Sequence, residues 1–275
     1  MQLVTDISAE EMNSLTESIL ARYGIDFTCY EPKSLRRRII RALNLFNLAS
    51  VHELWVRLLS DSKFIQVFTN EISVGMTSMF RDPILWINLK KRISKDYRHR
   101  ESVSIWHAGC STGEEVYTLG ILLQETYLQD KAKAYATDIN MKAIEEAKNG
   151  VYTKIKMIEN ETNYREYNPN KDFPIYFSTS GKDAVMNAQL VSHASFAYHN
   201  LITDSFPSGF DMILCRNVMI YFDAAAKTKL LSKFYDAHKP DGYLIVGFFD
   251  TMSYLIDTNK FKLVDDEAGI FQKVG

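Results

Sequence analysis

From Val103 onward, short apolar runs alternate with segments of helical period, and that alternation admits few folds. The runs "VSIWHA" (103–108), "AKAYATD" (132–138), "FDMILC" (210–215) and "YLIVGF" (243–248) are strand-like, while 114–127, 141–149 and 224–238 carry helical spacing. Strands joined through helices build a mostly parallel, doubly wound sheet with right-handed crossovers. The tail "FKLVDDEAGIFQKVG" (261–275) breaks the alternation, and its two strand-like runs around a turn predict an antiparallel hairpin at the sheet edge. Residues 151–199 fit no strand–helix unit, and "IYFST" and "AQLVSHASFAY" within them read as added antiparallel strands.

The first hundred residues read as helices without strands. "SAEE" (8–11) is a capping box ahead of Met12, Leu15, Ile19 and Tyr23, with Gly24 as the stop. A second helix from Pro32 places Leu35, Ile39, Ala42 and Phe46 inward and Arg37, Arg38 and Arg41 on the outer face. "SVHE" (50–53) repeats the capping signal, another helix crosses 64–72, and Asp82–Pro83 reads as an N-cap followed by a first-turn proline. The polar run "KKRISKDYRHRES" (90–102) reads as the seam, giving a helical domain over 1–90 and an α/β domain over 91–275.

Composition narrows the class. With 46% hydrophobic and 24% charged residues in 275, the chain is that of a soluble globular protein. Neither export nor membrane insertion is indicated by "MQLVTDISAEEMNS", and three scattered cysteines make no disulfide framework, so a cytoplasmic location is expected. Six histidines without metal-ligand spacing point to no metal site, and a formal charge of −2 gives no global pull toward nucleic acid.

The loop after the first strand identifies the ligand class. In "AGCSTGEEVYT" (108–118) the dinucleotide pattern of glycines is absent, no phosphate-binding lysine follows, and two carboxylates, Glu114 and Glu115, open the helix. Asp138 ends the second strand, about where an acid grips ribose hydroxyls in such folds. A nucleoside carrying positive charge in place of phosphates reconciles these features, and S-adenosylmethionine is such a molecule. The plainer explanations are that first-turn acids answer the helix dipole and that Asp138 caps the helix after it.

"AGCSTGEEVYTLGILL", "ATDINMKAIEEAKNGVY", "FDMILCRNVMIYFD" and the upstream "TSMFRDP" resemble the CheR family of chemotaxis receptor methyltransferases, over roughly Leu15 to Lys273. The resemblance implies a class I S-adenosylmethionine-dependent methyltransferase: a Rossmann-like sheet with a C-terminal antiparallel hairpin, a small all-α domain before it, and an inserted antiparallel β-subdomain near 172–197. It implies methyl transfer to glutamate carboxylates of chemoreceptor cytoplasmic helices, forming glutamyl methyl esters. Carried over by position, Thr77 and Arg81 help close the cofactor pocket, Glu115 receives the amino-acid end and Asp138 the ribose. Asn200 and Leu201 then border the adenine, Arg216 and Asn217 line the floor, and Tyr221 stands near the reacting methyl. Arg81 and Tyr221 are the expected orienters of the acceptor carboxylate. Arg37, Arg38 and Arg41 are candidates for steering a glutamate-rich receptor bundle, and in some family members the β-subdomain docks a receptor's C-terminal peptide. Two departures stand out: Gly75 replaces an asparagine of the family pattern, and "GFFDT" (247–251) replaces a histidine-serine-acid run.

Other readings remain open on sequence. Base N-methylation calls for an acid or amide followed by two prolines and an aromatic where this chain has "CRNVMIYF" (215–222), whereas small carboxylic acids or another carboxylate acceptor are still admitted. A CheR-type sensor or scaffold that binds S-adenosylmethionine without turnover is compatible with Gly75. A hydrolase using Cys110 or Cys215 with His193 or His199 is a weaker alternative, since buried cysteine is the usual state of that residue.

Overall fold

The structure, a computed structural model, describes residues 3–73, 75–247 and 254–275. Four helices form the N-terminal part: α1 (Ala9–Tyr23), α2 (Pro32–Leu45), α3 (Val51–Ser60) and α4 (Phe64–Ile72). The expected capping box at Ser8 and Glu11 is complete, and Gly24 closes α1 in the left-handed conformation at φ 68°. Leu15, Ile19, Leu35, Ile39, Leu54 and Phe68 pack into one apolar core of these helices. Arg38, expected on the outer face, is buried at 7% exposure. It stands three residues after Leu35 and four before Ala42, and so shares their face. Arg37 and Arg41 are exposed as expected.

Helix α5 (Pro83–Asp96) corrects the expected seam. Its Leu85, Trp86, Leu89 and Ile93 belong to the core of the larger domain, so the polar run from Lys90 is the solvent side of a packed helix. The passage between the two cores lies instead just after α4. Asp82 precedes Pro83 as expected, but its side chain makes no capping bond; the backbone there is left-handed and the carboxylate turns to Arg216.

The larger domain follows as β1 (Val103–Ala108), α6 (Glu114–Glu125), β2 (Ala132–Asp138) and α7 (Met141–Asn149). An insertion comes next, with β3 (Val151–Thr153), α8 (Lys154–Tyr167), β4 (Phe177–Ser180) and β5 (Asp183–Met186). The chain returns through β6 (Ala194–Tyr198), β7 (Phe210–Cys215), α9 (Ala224–Ala237), β8 (His238–Val246), β9 (Phe261–Asp265) and β10 (Ile270–Lys273). The main sheet has the order β6-β2-β1-β7-β8-β10-β9. Its first five members are parallel, whereas β10 runs antiparallel to both β8 and β9, as the tail predicted. The chain winds outward from β1 on one side and restarts at β7 on the other. The crevice at the C-terminal ends of β1 and β7 is therefore the topological switch point, where ligands of such sheets bind. This is a doubly wound, Rossmann-like sheet with a terminal antiparallel hairpin, placed behind a small all-α domain.

The insertion differs from its expected form. β3, β5 and β4 make a separate antiparallel sheet, but Ala194–Tyr198 pairs parallel with β2 as an edge of the main sheet. Helix α8 left little periodic signal because Ile155 and Ile158 are exposed while polar Asn160 is buried. Only Met157, Asn160, Tyr164 and Tyr167 face inward. Tyr167, Tyr176 and Asn168 donate to Glu125, which also pairs with Lys90 and Lys171, and so tie the insertion to the end of α6. Among the described residues no helix is long and apolar enough to cross a membrane.

Candidate active site

A cleft opens at the switch point, lined by the loop after β1, the ends of β2, β6 and β7, the segment 75–81, and α2. It brings together Thr77, Arg81, Glu115, Asp138, Asn200, Leu201, Arg216, Asn217 and Tyr221, which the sequence spreads over 145 positions. Arg38 joins them.

The backbone around the cleft is unusually constrained. Four non-glycine residues in or beside it, Phe80, Asp82, Ser111 and Asn217, have φ between 48° and 59°. Left-handed backbone costs such residues about 1 kcal/mol or more each, and surrounding contacts must hold it. For segment 75–82 those contacts are visible. Asn160 of α8 accepts from Met79 N at 2.8 Å, Thr118 of α6 accepts from Phe80 N at 3.0 Å, and the Phe80 ring stacks on Tyr167. Gly109 is required for a different reason: at φ 97°, a β-carbon there would lie 2.4 Å from Val218 Cγ2, so the first loop could not pass beneath it.

The two glutamates have separate roles. Glu114 is fully buried, accepts from Thr112 Oγ1 at 2.7 Å and is ion-paired to Lys156 of α8, so it serves the packing of the loop. Glu115 faces the cleft. Its Oε1 lies 2.9 Å from His107 Nδ1 and its Oε2 accepts from Arg216 Nη1 at 3.2 Å. Burial pushes its carboxyl up, but the His107 hydrogen bond and the Arg216 charge outweigh that and hold it below the ordinary range. Asp138 accepts from Ser111 N and Asn140 N, both at 2.8 Å. Burial raises its carboxyl despite those backbone donors. The capping role open to Asp138 belongs to Asn140, whose Oδ1 accepts from Ala143 N at 3.0 Å.

The cleft is less acidic than its loop implied, because three guanidinium groups share it. Arg216 is anchored, donating to Asp82 Oδ2 at 2.7 Å and to Arg81 O at 2.9 Å. Arg81 donates to Met76 O at 3.3 Å, while the Asp82 carboxylate pairs with Arg216. Arg38 donates to Ile72 O and lies over the Tyr221 ring, 4.1 Å from its centroid. Among the described residues no carboxylate lies within 4.0 Å of Arg38 or Arg81. The helical domain also fixes Tyr221, whose carbonyl accepts from Glu31 N at 2.9 Å, while Tyr30 packs edge-on against Phe222.

Arg37 and Arg41 do not line the cleft, and neither does the insertion sheet. Gly75 does, with space for a side chain: a β-carbon there would meet nothing nearer than Ser111 Oγ at 3.8 Å. Residues 248–251 of "GFFDT" lie outside the described residues. Burial pushes the Cys110 thiol far above its ordinary value, and His199 is turned toward Ser205 O at 3.1 Å, so no activated thiol is built here. Two features of the cleft were not expected from the sequence: the place of Arg38 in it, since Arg38 was a candidate for receptor steering only, and the partner of Glu115. Arg38 was legible in the spacing from Leu35 to Ala42, whereas the His107–Glu115 contact joins a strand to the next helix and left no local signal.

S-adenosylmethionine fits the charges present. It carries an ammonium, a sulfonium and a carboxylate, and the cleft offers two carboxylates and, among the described residues, two guanidinium groups without carboxylate partners. Comparison with known proteins agrees. Residues 75–270 match the family domain described as "CheR methyltransferase, SAM binding domain", and residues 10–73 match "CheR methyltransferase, all-alpha domain". A Pseudomonas putida protein named "Putative methyltransferase Cher3" is 34% identical over 269 residues, spanning 98% of this chain and 97% of that one. The "Chemotaxis protein methyltransferase" of Listeria innocua is 29% identical over 229 residues (82% of this chain, 83% of that one). The protein of the same name from Escherichia coli is 28% identical over 264 residues (90% and 87%). The chain belongs to the CheR methyltransferase family and uses S-adenosylmethionine as its cofactor.

Proposed function

We propose that this protein transfers the methyl group of S-adenosylmethionine to glutamate carboxylates on cytoplasmic helices of chemoreceptors, giving glutamyl methyl esters. The observation that carries the reading is Arg38: a buried guanidinium facing the cofactor cleft, with no carboxylate partner among the described residues. A buried cation is costly unless an anion meets it. An incoming glutamate side chain supplies that anion, and relatives named as chemotaxis protein methyltransferases support the choice of acceptor.

The residues then divide the work. Glu115 takes the amino-acid end of the cofactor, Asp138 the ribose, and Asn200 and Leu201 the adenine side, with Thr77, Arg216 and Asn217 closing the wall and floor. Bound there, S-adenosylmethionine supplies an electrophilic methyl group on a cationic sulfur. Arg38 and Arg81 orient the acceptor carboxylate, and Tyr221 is held under Arg38 at the same end. No base is needed, because a glutamate with an ordinary pKa of about 4.3 is already ionised near neutrality. Positioning is the main catalytic contribution, worth roughly 7–11 kcal/mol in favourable cases. Exposed Arg37 and Arg41 extend the positive face toward an acidic helical bundle. In the β3-β5-β4 sheet, β4 is an edge strand with exposed residues, which supports docking of a receptor's C-terminal peptide by strand addition.

The test is tritiated S-adenosylmethionine with purified receptor cytoplasmic fragments. Label released as methanol by mild base marks esters. Cofactor binding without base-labile label on any fragment would instead favour a sensor or scaffold, a reading with which Gly75 is compatible.

A further inference from the structure

His107 sits on β1 with its side chain sealed from solvent. A carboxylate only accepts, so Nδ1 is the donor in its 2.9 Å contact with Glu115 Oε1. Nε2 has no partner among the described residues. The ring therefore has one hydrogen-bond partner among the described residues, with a second imidazole, His193, near it, and a leucine in its place would leave no nitrogen unsatisfied. That single hydrogen bond goes to the carboxylate facing the cofactor.

Glu115 needs such a contact. It stands in the first turn of α6 with several rotatable bonds, and its side chain is 14% exposed toward the cleft. Arg216 alone would hold one oxygen and leave the carboxylate free to turn about that bond. With His107 on Oε1 and Arg216 on Oε2, one donor from β1 and one from the end of β7 fix its plane. Each oxygen keeps further acceptor capacity for a ligand donor.

We propose that His107 is a positioning residue that holds the Glu115 carboxylate toward the ammonium group of the cofactor's amino-acid end. This rests on reading Glu115 as the receiver of that end. The role is selective: it concerns the amino-acid tail and leaves the adenosine half untouched.

Calorimetry with two ligands tests it, S-adenosylhomocysteine, which has the tail, and 5′-methylthioadenosine, which lacks the amino and carboxyl groups. His107→Leu weakens S-adenosylhomocysteine binding about tenfold and changes methylthioadenosine binding less than about twofold. His107→Asn, whose amide lies near the position of Nδ1, restores most of the loss, while His107→Gln, whose amide lies near Nε2, does not. That polar pair carries the test should His107→Leu fail to fold. Equal losses for both ligands, no loss for either, or the same affinity in His107→Asn and His107→Gln overturns the proposal. Glu115→Gln separates the two levels. A tail-selective loss there without one in the His107 variants overturns the role of His107 alone; its absence overturns the reading of Glu115 as well.

Discussion

The two walls of the cleft are built differently. One consists of strand ends: Gly109 to Glu115 after β1, Asp138 to Asn140 after β2, and Arg216 to Val218 after β7. Its groups are held by the backbone of a seven-stranded sheet and by short bonds, such as Ser111 N and Asn140 N to Asp138. The other wall is helical, with Arg38 of α2, Tyr30 before it and the segment 75–81 after α4. It reaches the cleft with long side chains, and its two unmatched cations, Arg38 and Arg81, stand on it. A rigid wall suits a cofactor of invariant shape, while cations on long side chains suit the proposed acceptor, a carboxylate that would arrive on another protein and leave as a neutral ester. Loss of the Arg38 cation on the helical wall should thus impair methyl transfer, and changes on the strand wall should impair cofactor binding.

The sharpest way to break that division is Arg38→Leu. It should lower kcat/KM for methyl transfer about a hundredfold, or ~2.7 kcal/mol, with cofactor affinity changed less than about threefold. Thermal melting checks that the helical core persists, and a parallel collapse of cofactor binding would show one shared wall. On the other side, Asp138→Ala should weaken S-adenosylhomocysteine binding more than about tenfold in calorimetry. Undiminished affinity would remove Asp138 from the pocket. Reversing exposed Arg37 and Arg41 to glutamate should raise the receptor KM about fivefold at low salt, with the difference shrinking as salt is added. An effect insensitive to ionic strength would assign receptor steering elsewhere. The smallest effect belongs to Gly75→Asn, a side chain with room beside Ser111. It should tighten cofactor binding about two- to threefold through one added hydrogen bond, and calorimetry showing unchanged or weaker binding would mean the family's contact is not recovered here.

Much of the strand wall was legible in the sequence. The loop "AGCSTGEE" is contiguous, Asp138 ends a strand whose alternation is clear, and "FDMILCRN" runs directly from β7 into the floor. Local pattern suffices where a site is made from the residues that terminate a strand. The helical wall was only partly legible. Arg38 sits in a run of three arginines that resembles one solvated face, although its spacing from Leu35 and Ala42 places it inside. In the insertion, the edge strand β6 was read as antiparallel. Five residues carry no mark of the strand they will pair with, and the intervening helix α8 showed no clear stripe.

By itself, the sequence determined the order of helices and strands outside residues 151–199, the parallel sheet with its terminal hairpin, and the acid-bearing first loop, because each rests on periodicity or turn chemistry within a few residues. Tertiary structure supplied the reason that Glu115 and not Glu114 faces the cleft, by giving Lys156 to Glu114 and His107 with Arg216 to Glu115. It also decided that Asp82 serves Arg216 instead of its own helix. These choices depend on partners from distant segments, and only the closed fold brings those charges within reach of one another.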